Sequence, residues 1–205
     1  MNKRVVCGIA VVLLACAGTA SAQIAGIGVK GGFNVANMPI SSEHQFNTTL
    51  RKAWMTGGFV DFPLGRNVFL QPELVFTTKG TEIPVGVGQT TYKLTYLEIP
   101  VLLRLDLRNR GKAIPYVYAG PTVSFLLAAT QTNVAPAIGY SARYDAKDQF
   151  QSTDVGFALG GGVRFGKFLV EARYVEGLKN IAKQAPSQPS TAKNRVFQII
   201  GGVRF

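Results

Sequence analysis

Apolar and polar residues alternate with a period of two over long stretches of this chain. In "LEIPVLLRLDL" (97–107), Leu103 and Leu105 fall on one face. Glu98 and Arg104 fall on the other. The same alternation runs through "NVFLQPELVFTTK" (67–79), "FLVEARYVEG" (168–177) and "NRVFQIIGGVRF" (194–205). Successive side chains of a β-strand point to opposite sides, so this pattern predicts strands with one apolar and one charged face.

The alternation, together with the turns and polar segments that interrupt it, predicts eight strands. They cover residues 24–34, 53–62, 67–79, 91–106, 113–128, 154–165, 168–176 and 195–205. The connections alternate between long polar segments (35–52, 80–90, 129–153 and 177–194) and the short turns "PLGRN", "LRNRGKA" and "GK". An even number of antiparallel strands, with long loops at one end and tight turns at the other, is typical of outer-membrane proteins. We therefore predict an all-β fold, an eight-stranded antiparallel up-and-down transmembrane β-barrel in the cell outer membrane.

The same periodicity also fits a soluble eight-stranded barrel of the lipocalin kind, with the apolar face turned inward. Two features favour the membrane. Glycine is abundant in the strands, as a small, strongly curved barrel allows. The charged face also carries both signs at strand centres, which predicts a paired network inside the barrel. Strand parity, the alternation of side chains between the two faces of a strand, assigns a set of charged residues to this lumen face. They are Lys30, Asp61, Glu73, Lys79, Glu98, Arg104, Asp106, Arg164, Glu171, Arg173 and Arg204.

Within that network, Glu73 and Glu98 are expected to be neighbours on adjacent strands. Two adjacent carboxylates repel unless a cation lies between them. Guanidinium groups can bridge two carboxylates with several donors at once, so Arg104, Arg164 and Arg173 are the expected partners.

The first residues have the features of a secretory leader. Lys3 and Arg4 precede an apolar run that is too short to span a bilayer, and Ala20-Ser21-Ala22 follows. We expect cleavage between Ala22 and Gln23, which makes residues 1–22 a signal peptide and residues 23–205 the barrel domain. The alternative is a lipoprotein signal ending in "LLAC", with Cys16 acylated.

Composition adds little chemistry to this picture. Both cysteines, Cys7 and Cys16, would leave with the leader, so the mature chain has no disulfide. The formal charge is +11, but about half of the cations fall on the lumen face. We therefore expect no nucleic acid as a partner.

No cofactor, metal site or enzyme activity is expected. The alternative is a lipid-directed enzyme that uses His44, the single histidine, which stands beside Ser42 and Glu43 in a long loop.

The final residue, Phe205, is an aromatic residue within the last predicted strand. A terminal Phe at the membrane interface fits the aromatic girdle of such barrels. It also resembles the C-terminal signal that the barrel-assembly machinery recognises, although the usual glycine of that signal is displaced by one position, to Gly201. We therefore expect Phe205 to serve as an assembly signal, with the barrel-assembly machinery as a partner.

Several stretches together resemble the PorT-like outer-membrane β-barrel family, a group of eight-stranded, OmpA/OmpX-like barrels. They are "GVKGGFNVANM" (28–38), "LQPELVFTTKG" (70–80), "YLEIPVLLRL" (96–105), "YVYAGPTVSFLL" (116–127) and "LGGGVRFGKFLVEARYVEGLKNI" (159–181). The resemblance implies the fold and the outer-membrane location. It brings no functional residue with it, because the shared positions belong to the barrel itself.

The expected function is that of a non-enzymatic envelope protein with a plugged lumen. Its long loops would face outward, toward an envelope or secretion partner, a surface ligand, outer-membrane lipid or lipopolysaccharide. One branch of the resembled family is tied to protein secretion and gliding motility, so an accessory role in such a system is a further alternative. A diffusive pore is disfavoured, because side chains fill the interior of an eight-stranded barrel.

Overall fold

The computed structural model describes residues 24–37, 40–41, 51–85, 88–107, 112–182 and 191–205. The strands are β1 (Gly26–Asn37), β2 (Ile40–Ser41), β3 (Arg51–Pro63), β4 (Val68–Val85), β5 (Gly88–Asp106), β6 (Ala113–Ala135), β7 (Tyr140–Asp145), β8 (Thr153–Phe165), β9 (Phe168–Gly177), β10 (Thr191–Ala192) and β11 (Arg195–Arg204). Short 3-10 helices cover Pro136–Ile138 and Lys147–Gln149. Within the described ranges, no helix has the length and apolar character needed to cross a membrane.

The eight long strands form one closed antiparallel sheet. Its order is β5-β4-β3-β1-β11-β9-β8-β6, and β6 pairs again with β5 to complete the ring. The closing pair joins the first and last strands, with Gly28 opposite Arg204. The Phe205 N–H donates to the Ile27 carbonyl at 2.7 Å and extends this pairing to the last residue. The predicted eight-stranded up-and-down barrel is confirmed.

Two of the segments predicted as long polar loops are instead largely strand. Residues 80–85 and 88–90 belong to one tall hairpin, in which β4 and β5 stay paired from Gly80 opposite Lys93 to Val85 opposite Gly88. In the segment 129–153, β6 continues to Ala135 and pairs there with β7. The prediction of loops was wrong because glycine, proline and polar residues interrupt the alternation of apolar and polar side chains in these segments. The backbone pairing continues through them all the same.

Parts of the other two long segments are described. The short strands β2 and β10 pair with each other, which joins the segment after β1 to the segment before β11. The predicted cleavage site at Ala22 and Gln23, the alternative lipid site at Cys16 and the alternative catalytic residue His44 lie outside the described residues. Those interpretations therefore stay predictions.

The two faces of the barrel have opposite chemistry. Large apolar side chains point outward and are about half exposed, among them Val29, Leu74, Leu103, Leu159, Val170 and Ile199. Exposed aromatic rings flank this apolar belt, with Phe33 and Trp54 toward one end and Phe165, Phe168 and Phe205 at the other. An apolar band between two aromatic girdles is the surface that a transmembrane barrel presents to lipid.

A small apolar cluster closes the end of the barrel that carries the tall hairpin. Leu94 and Leu126 pack there with Phe150 and Ile181. The segments that contribute Phe150 and Ile181 are held together by the bond from the Gln151 N–H to the Ile181 carbonyl, at 2.7 Å. The residues after β7 and after β9 thus fold over the mouth of the barrel.

Glycines of β8 give space to two lumen tyrosines on β6. Tyr118 lies opposite Gly160, and Tyr116 lies opposite Gly162. A Cβ atom on Gly160 would stand 2.7 Å from the Tyr118 ring, and one on Gly162 would stand 2.9 Å from the Tyr116 hydroxyl. The absence of a side chain at these two positions is what lets both rings lie flat against the inner wall.

We predict that Gly160→Ala destabilises the barrel by about 1–3 kcal/mol, because the added methyl would stand 2.7 Å from both the Tyr118 ring and the Ala172 carbonyl oxygen. Gly201→Ala is the matched control, since a Cβ on that strand glycine meets nothing within 4 Å. The measurement is equilibrium unfolding in urea, in detergent or lipid. Equal stability of the two variants would contradict this account of β8.

Candidate functional site

The lumen holds most of the buried ionisable groups, and its middle layer is a closed ion-pair network. Glu73 receives two parallel bonds from the Arg173 guanidinium, at 2.8 and 2.9 Å. The Lys30 ammonium bonds Glu73 at 2.8 Å and Glu171 at 3.1 Å. Gln71 donates a further bond to Glu73 at 2.7 Å. Two cations therefore face two carboxylates, and each of these side chains is almost fully buried.

Two tyrosine hydroxyls complete the middle layer. Tyr116 donates to one oxygen of Glu171 at 2.9 Å, and Tyr118 donates to the other at 3.2 Å. Tyr118 in turn accepts a bond from Arg173 Nε at 3.1 Å. The two tyrosines therefore do more than pack against the inner wall, because their hydroxyls satisfy the buried carboxylate of Glu171.

A second ion-pair layer lies nearer the tight turns. Arg104 makes a bidentate contact with Asp106, at 2.7 and 3.1 Å, and reaches Asp61 at 3.2 Å. Arg204 also bonds Asp61, at 2.9 Å, and Arg164 contacts Asp106 at 3.4 Å. The Arg104 guanidinium lies over the rings of Phe69 and Tyr116. Here three guanidinium groups share two carboxylates.

The third layer lies at the end closed by the apolar cluster. Lys79 pairs with Glu98, and Ser124 donates to Glu98 at 3.0 Å. Asn194 donates to Asp154 at 2.7 Å. Between this layer and the middle one, Asn34 links the walls through bonds to Thr77 and from Gln198, at 2.8 and 3.0 Å.

The structure thus places the residues assigned to the lumen by strand parity in three groups. Lys30, Glu73, Glu171 and Arg173 meet in the middle layer; Asp61, Arg104, Asp106, Arg164 and Arg204 meet near the turns; and Lys79 and Glu98 meet at the far end. Arg164 and Arg204 are half-buried, and the rest are buried.

The expected arginine bridge between Glu73 and Glu98 is replaced by two separate pairings. Arg173 binds Glu73, whereas a lysine, Lys79, binds Glu98. Arg104 and Arg164 serve the aspartates near the turns. The alternation along each strand identified the face on which a side chain lies. It did not identify which side chains lie at the same depth in the barrel and pair there. It also passed over Asp154, although Asp154 has the parity of the other inward residues of β8.

The described residues contain little that could perform catalysis or hold a transition metal. Among them, no group of three or more His, Cys, Asp or Glu side chains is placed to bind a metal ion. The buried carboxylates of the middle layer are fully engaged by cations and hydroxyls. What this arrangement can do is stiffen the barrel and fill its interior.

Above the barrel, β7 adds an exposed strand to β6. Its Tyr140 and Tyr144 hydroxyls are 3.0 Å apart and both rings are about half exposed. The hydrogen bond with Tyr144 raises the pKa of Tyr140. Tyr140 therefore remains a neutral side chain, able to donate or accept a hydrogen bond near physiological pH.

We predict that Arg173→Ala lowers the free energy of unfolding by about 3–5 kcal/mol, because it leaves the buried Glu73 and Glu171 with one cation between them. Arg143→Ala removes the same side chain from the exposed strand β7 and should change stability by no more than ~0.5 kcal/mol. Urea unfolding of both variants in lipid vesicles measures the difference. Similar stabilities would show that the middle layer contributes no net ion pairing.

The comparisons with known proteins agree with the fold. A family model described as an outer membrane protein beta-barrel domain matches residues 21–183. A search of curated proteins finds no matching sequence.

Solved structures with the same kind of fold include three bacterial surface barrels. Ail of Yersinia pestis, in complex with the heparin analogue sucrose octasulfate, is 13% identical, with 88% of this chain and 99% of Ail covered and a TM-score of 0.41. Neisserial surface protein A is 13% identical, with 89% and 99% covered and a TM-score of 0.49. OprG of Pseudomonas aeruginosa is 11% identical, with 88% and 95% covered and a TM-score of 0.49.

Proposed function

We propose that this chain, which belongs to the outer membrane protein beta-barrel domain family and lies in the outer membrane, is a non-enzymatic display protein. Its closed barrel holds an extracellular sheet and the connecting segments toward a partner outside the cell or within the envelope. That partner is a protein, a surface ligand or lipopolysaccharide. Membership of the PorT-like group is part of the same proposal and rests on the motifs of β1, β4, β5, β6, β8 and β9.

The observation that carries the proposal is the unequal height of the barrel wall. Strands β9 and β11 have 10 residues each, which matches the 9–11 residues or so that cross a membrane. Strands β4, β5 and β6 have 18, 19 and 23 residues. One side of the barrel therefore rises well above the lipid as a sheet of β4, β5, β6 and β7. A folded sheet that stands in solvent is a rigid platform for recognition.

The filled lumen supports a role in display rather than in diffusion. The three polar layers and the apolar cluster at the mouth occupy the interior from one end to the other. Eight strands leave only enough interior for side chains. The enzyme alternative depends on His44, and the secretion or gliding alternative depends on a partner. Neither gains support from a contact among the described residues.

A photo-crosslinking residue placed at Tyr140 should give a discrete adduct in intact cells, because β7 is the exposed strand of the proposed platform. The control is Leu64, which is also exposed but lies in the turn at the opposite end. Mass spectrometry of each adduct identifies the partner. If Tyr140 gives no adduct, or gives the same adduct as Leu64, the platform is not the site of recognition.

We predict that the purified protein shows no steady ion conductance in planar lipid bilayers, because paired side chains fill the lumen. Replacing Lys30, Glu73, Glu171 and Arg173 together by Ser removes the middle layer with no change in net charge. Brief openings in that variant would locate the barrier in this layer. A stable open channel in the unmodified protein would rule out the plugged lumen.

A further inference from the structure

The end of the lumen nearest the extracellular sheet holds two buried carboxylates at one level. Glu98 on β5 lies opposite Ser124 on β6, and Ser124 lies opposite Asp154 on β8. Glu98 and Asp154 are 1% and 2% exposed. Three adjacent strands therefore bring two negative charges to the two sides of one serine.

The two carboxylates have different partners. Glu98 is bound by the Lys79 ammonium and by the Ser124 hydroxyl. Asp154 accepts one bond, from the Asn194 amide to Oδ2 at 2.7 Å. Its other oxygen, Oδ1, is buried without a hydrogen-bond partner. The Lys79 ammonium, which binds Glu98, also acts electrostatically on Asp154, so one cation serves both carboxylates.

A second buried acceptor lies beside Asp154. Asn194 is 1% exposed, and while its amide nitrogen donates to Asp154, its Oδ1 atom is without a partner. The Tyr96 hydroxyl is also fully buried, and it interacts with the Asn194 side chain and with the charge of Asp154. Carboxylate and amide oxygens are ligands that hard cations prefer, whereas transition metals prefer nitrogen and sulfur.

We infer that this end of the lumen binds one monovalent hard cation, Na⁺ or K⁺, with Asp154 Oδ1 and Asn194 Oδ1 as ligands. Charge balance selects the monovalent ion. The described residues of the layer contribute two carboxylates, Glu98 and Asp154, and one ammonium, Lys79. One positive charge makes the layer neutral, as the middle layer already is, and a divalent ion would leave it positive.

The site would connect the cation to the outer segments of the protein. Asn194 immediately precedes β11, and its carbonyl accepts the Gly177 N–H at the end of β9, at 2.7 Å. The next residue, Leu178, donates to the Val155 carbonyl of β8 at 2.8 Å. A cation held between Asp154 and Asn194 therefore fastens both ends of the 178–194 connection to the barrel wall.

The test is thermal unfolding of the full chain in detergent near neutral pH. Solutions of NaCl, KCl and tetramethylammonium chloride are compared at equal ionic strength, so that general screening is the same in each. We expect the small cations to raise Tm by about 2–4 °C over tetramethylammonium once they exceed their Kd by about five-fold. Hydrogen exchange at the Gly177 and Leu178 amides should slow in the same solutions.

Three variants test whether the difference in Tm between salts arises at this site. Asp154→Asn should abolish the difference between salts, because the neutral amide needs no counter-charge. Asn194→Ala should weaken the difference between salts. It provides the test if Asp154→Asn fails to fold. Asp145→Asn removes an exposed carboxylate from β7 and should leave the difference intact.

Two results would overturn the inference. The first is equal stability and equal exchange of the unmodified protein in all three salts. The second is that mild acidification in tetramethylammonium chloride stabilises the unmodified protein as much as Na⁺ or K⁺ does, and that Asp154→Asn loses this stabilisation. That result would mean that a proton, and not a metal cation, neutralises Asp154.

Discussion

The structure depends first on the pairing of the first strand with the last. In the hydrocarbon core of a membrane, an unpaired backbone N–H or C=O has no water to bind, so a sheet can span the bilayer only if it has no edge. The pairing of β1 with β11, from Gly28 opposite Arg204 to Asn37 opposite Arg195, removes the edge. The tilt of the strands, the narrow interior and the apolar outer face all follow from that closure.

A ring of eight strands leaves an interior that its own side chains must fill, and here most of them are polar. Burial of charge is costly unless each charge is paired and hydrogen-bonded. Arg173 shows how this is met, with two bonds to Glu73 and one from Nε to Tyr118. The glycines of β8 leave space for large side chains on β6. Two of these side chains, Tyr116 and Tyr118, also bond Glu171, so the same strands provide packing and hydrogen bonds to a buried charge.

The layers differ in how completely their charges are matched. The middle layer has equal numbers of cations and carboxylates, and the layer near the turns has an additional guanidinium group. The far layer has a carboxylate, Asp154, whose partner is an amide. The uneven charge falls at the two ends of the lumen, where ions and water from either side of the membrane are nearest.

One side of the barrel wall is taller than the other. Strands β9 and β11 end near the lipid boundary, whereas β4, β5 and β6 continue beyond it and recruit β7. The continuation is rich in polar residues, glycine and proline, although Thr81 and Ile83 are buried in it. This composition is why these residues look like loops when only their polarity is considered.

The sequence by itself determined the number of strands, their turns and the face of each side chain, because alternation with a period of two is a local property of the backbone. Tertiary structure decided everything that depends on which strands are neighbours and at what depth. Arg173 meets Glu73 across 100 positions of the chain, and Lys79 rather than an arginine meets Glu98, since register and barrel closure set those distances. The height of β4 and β5 was decided in the same way, because continued pairing with a neighbouring strand, and not local polarity, kept residues 80–85 and 88–90 extended.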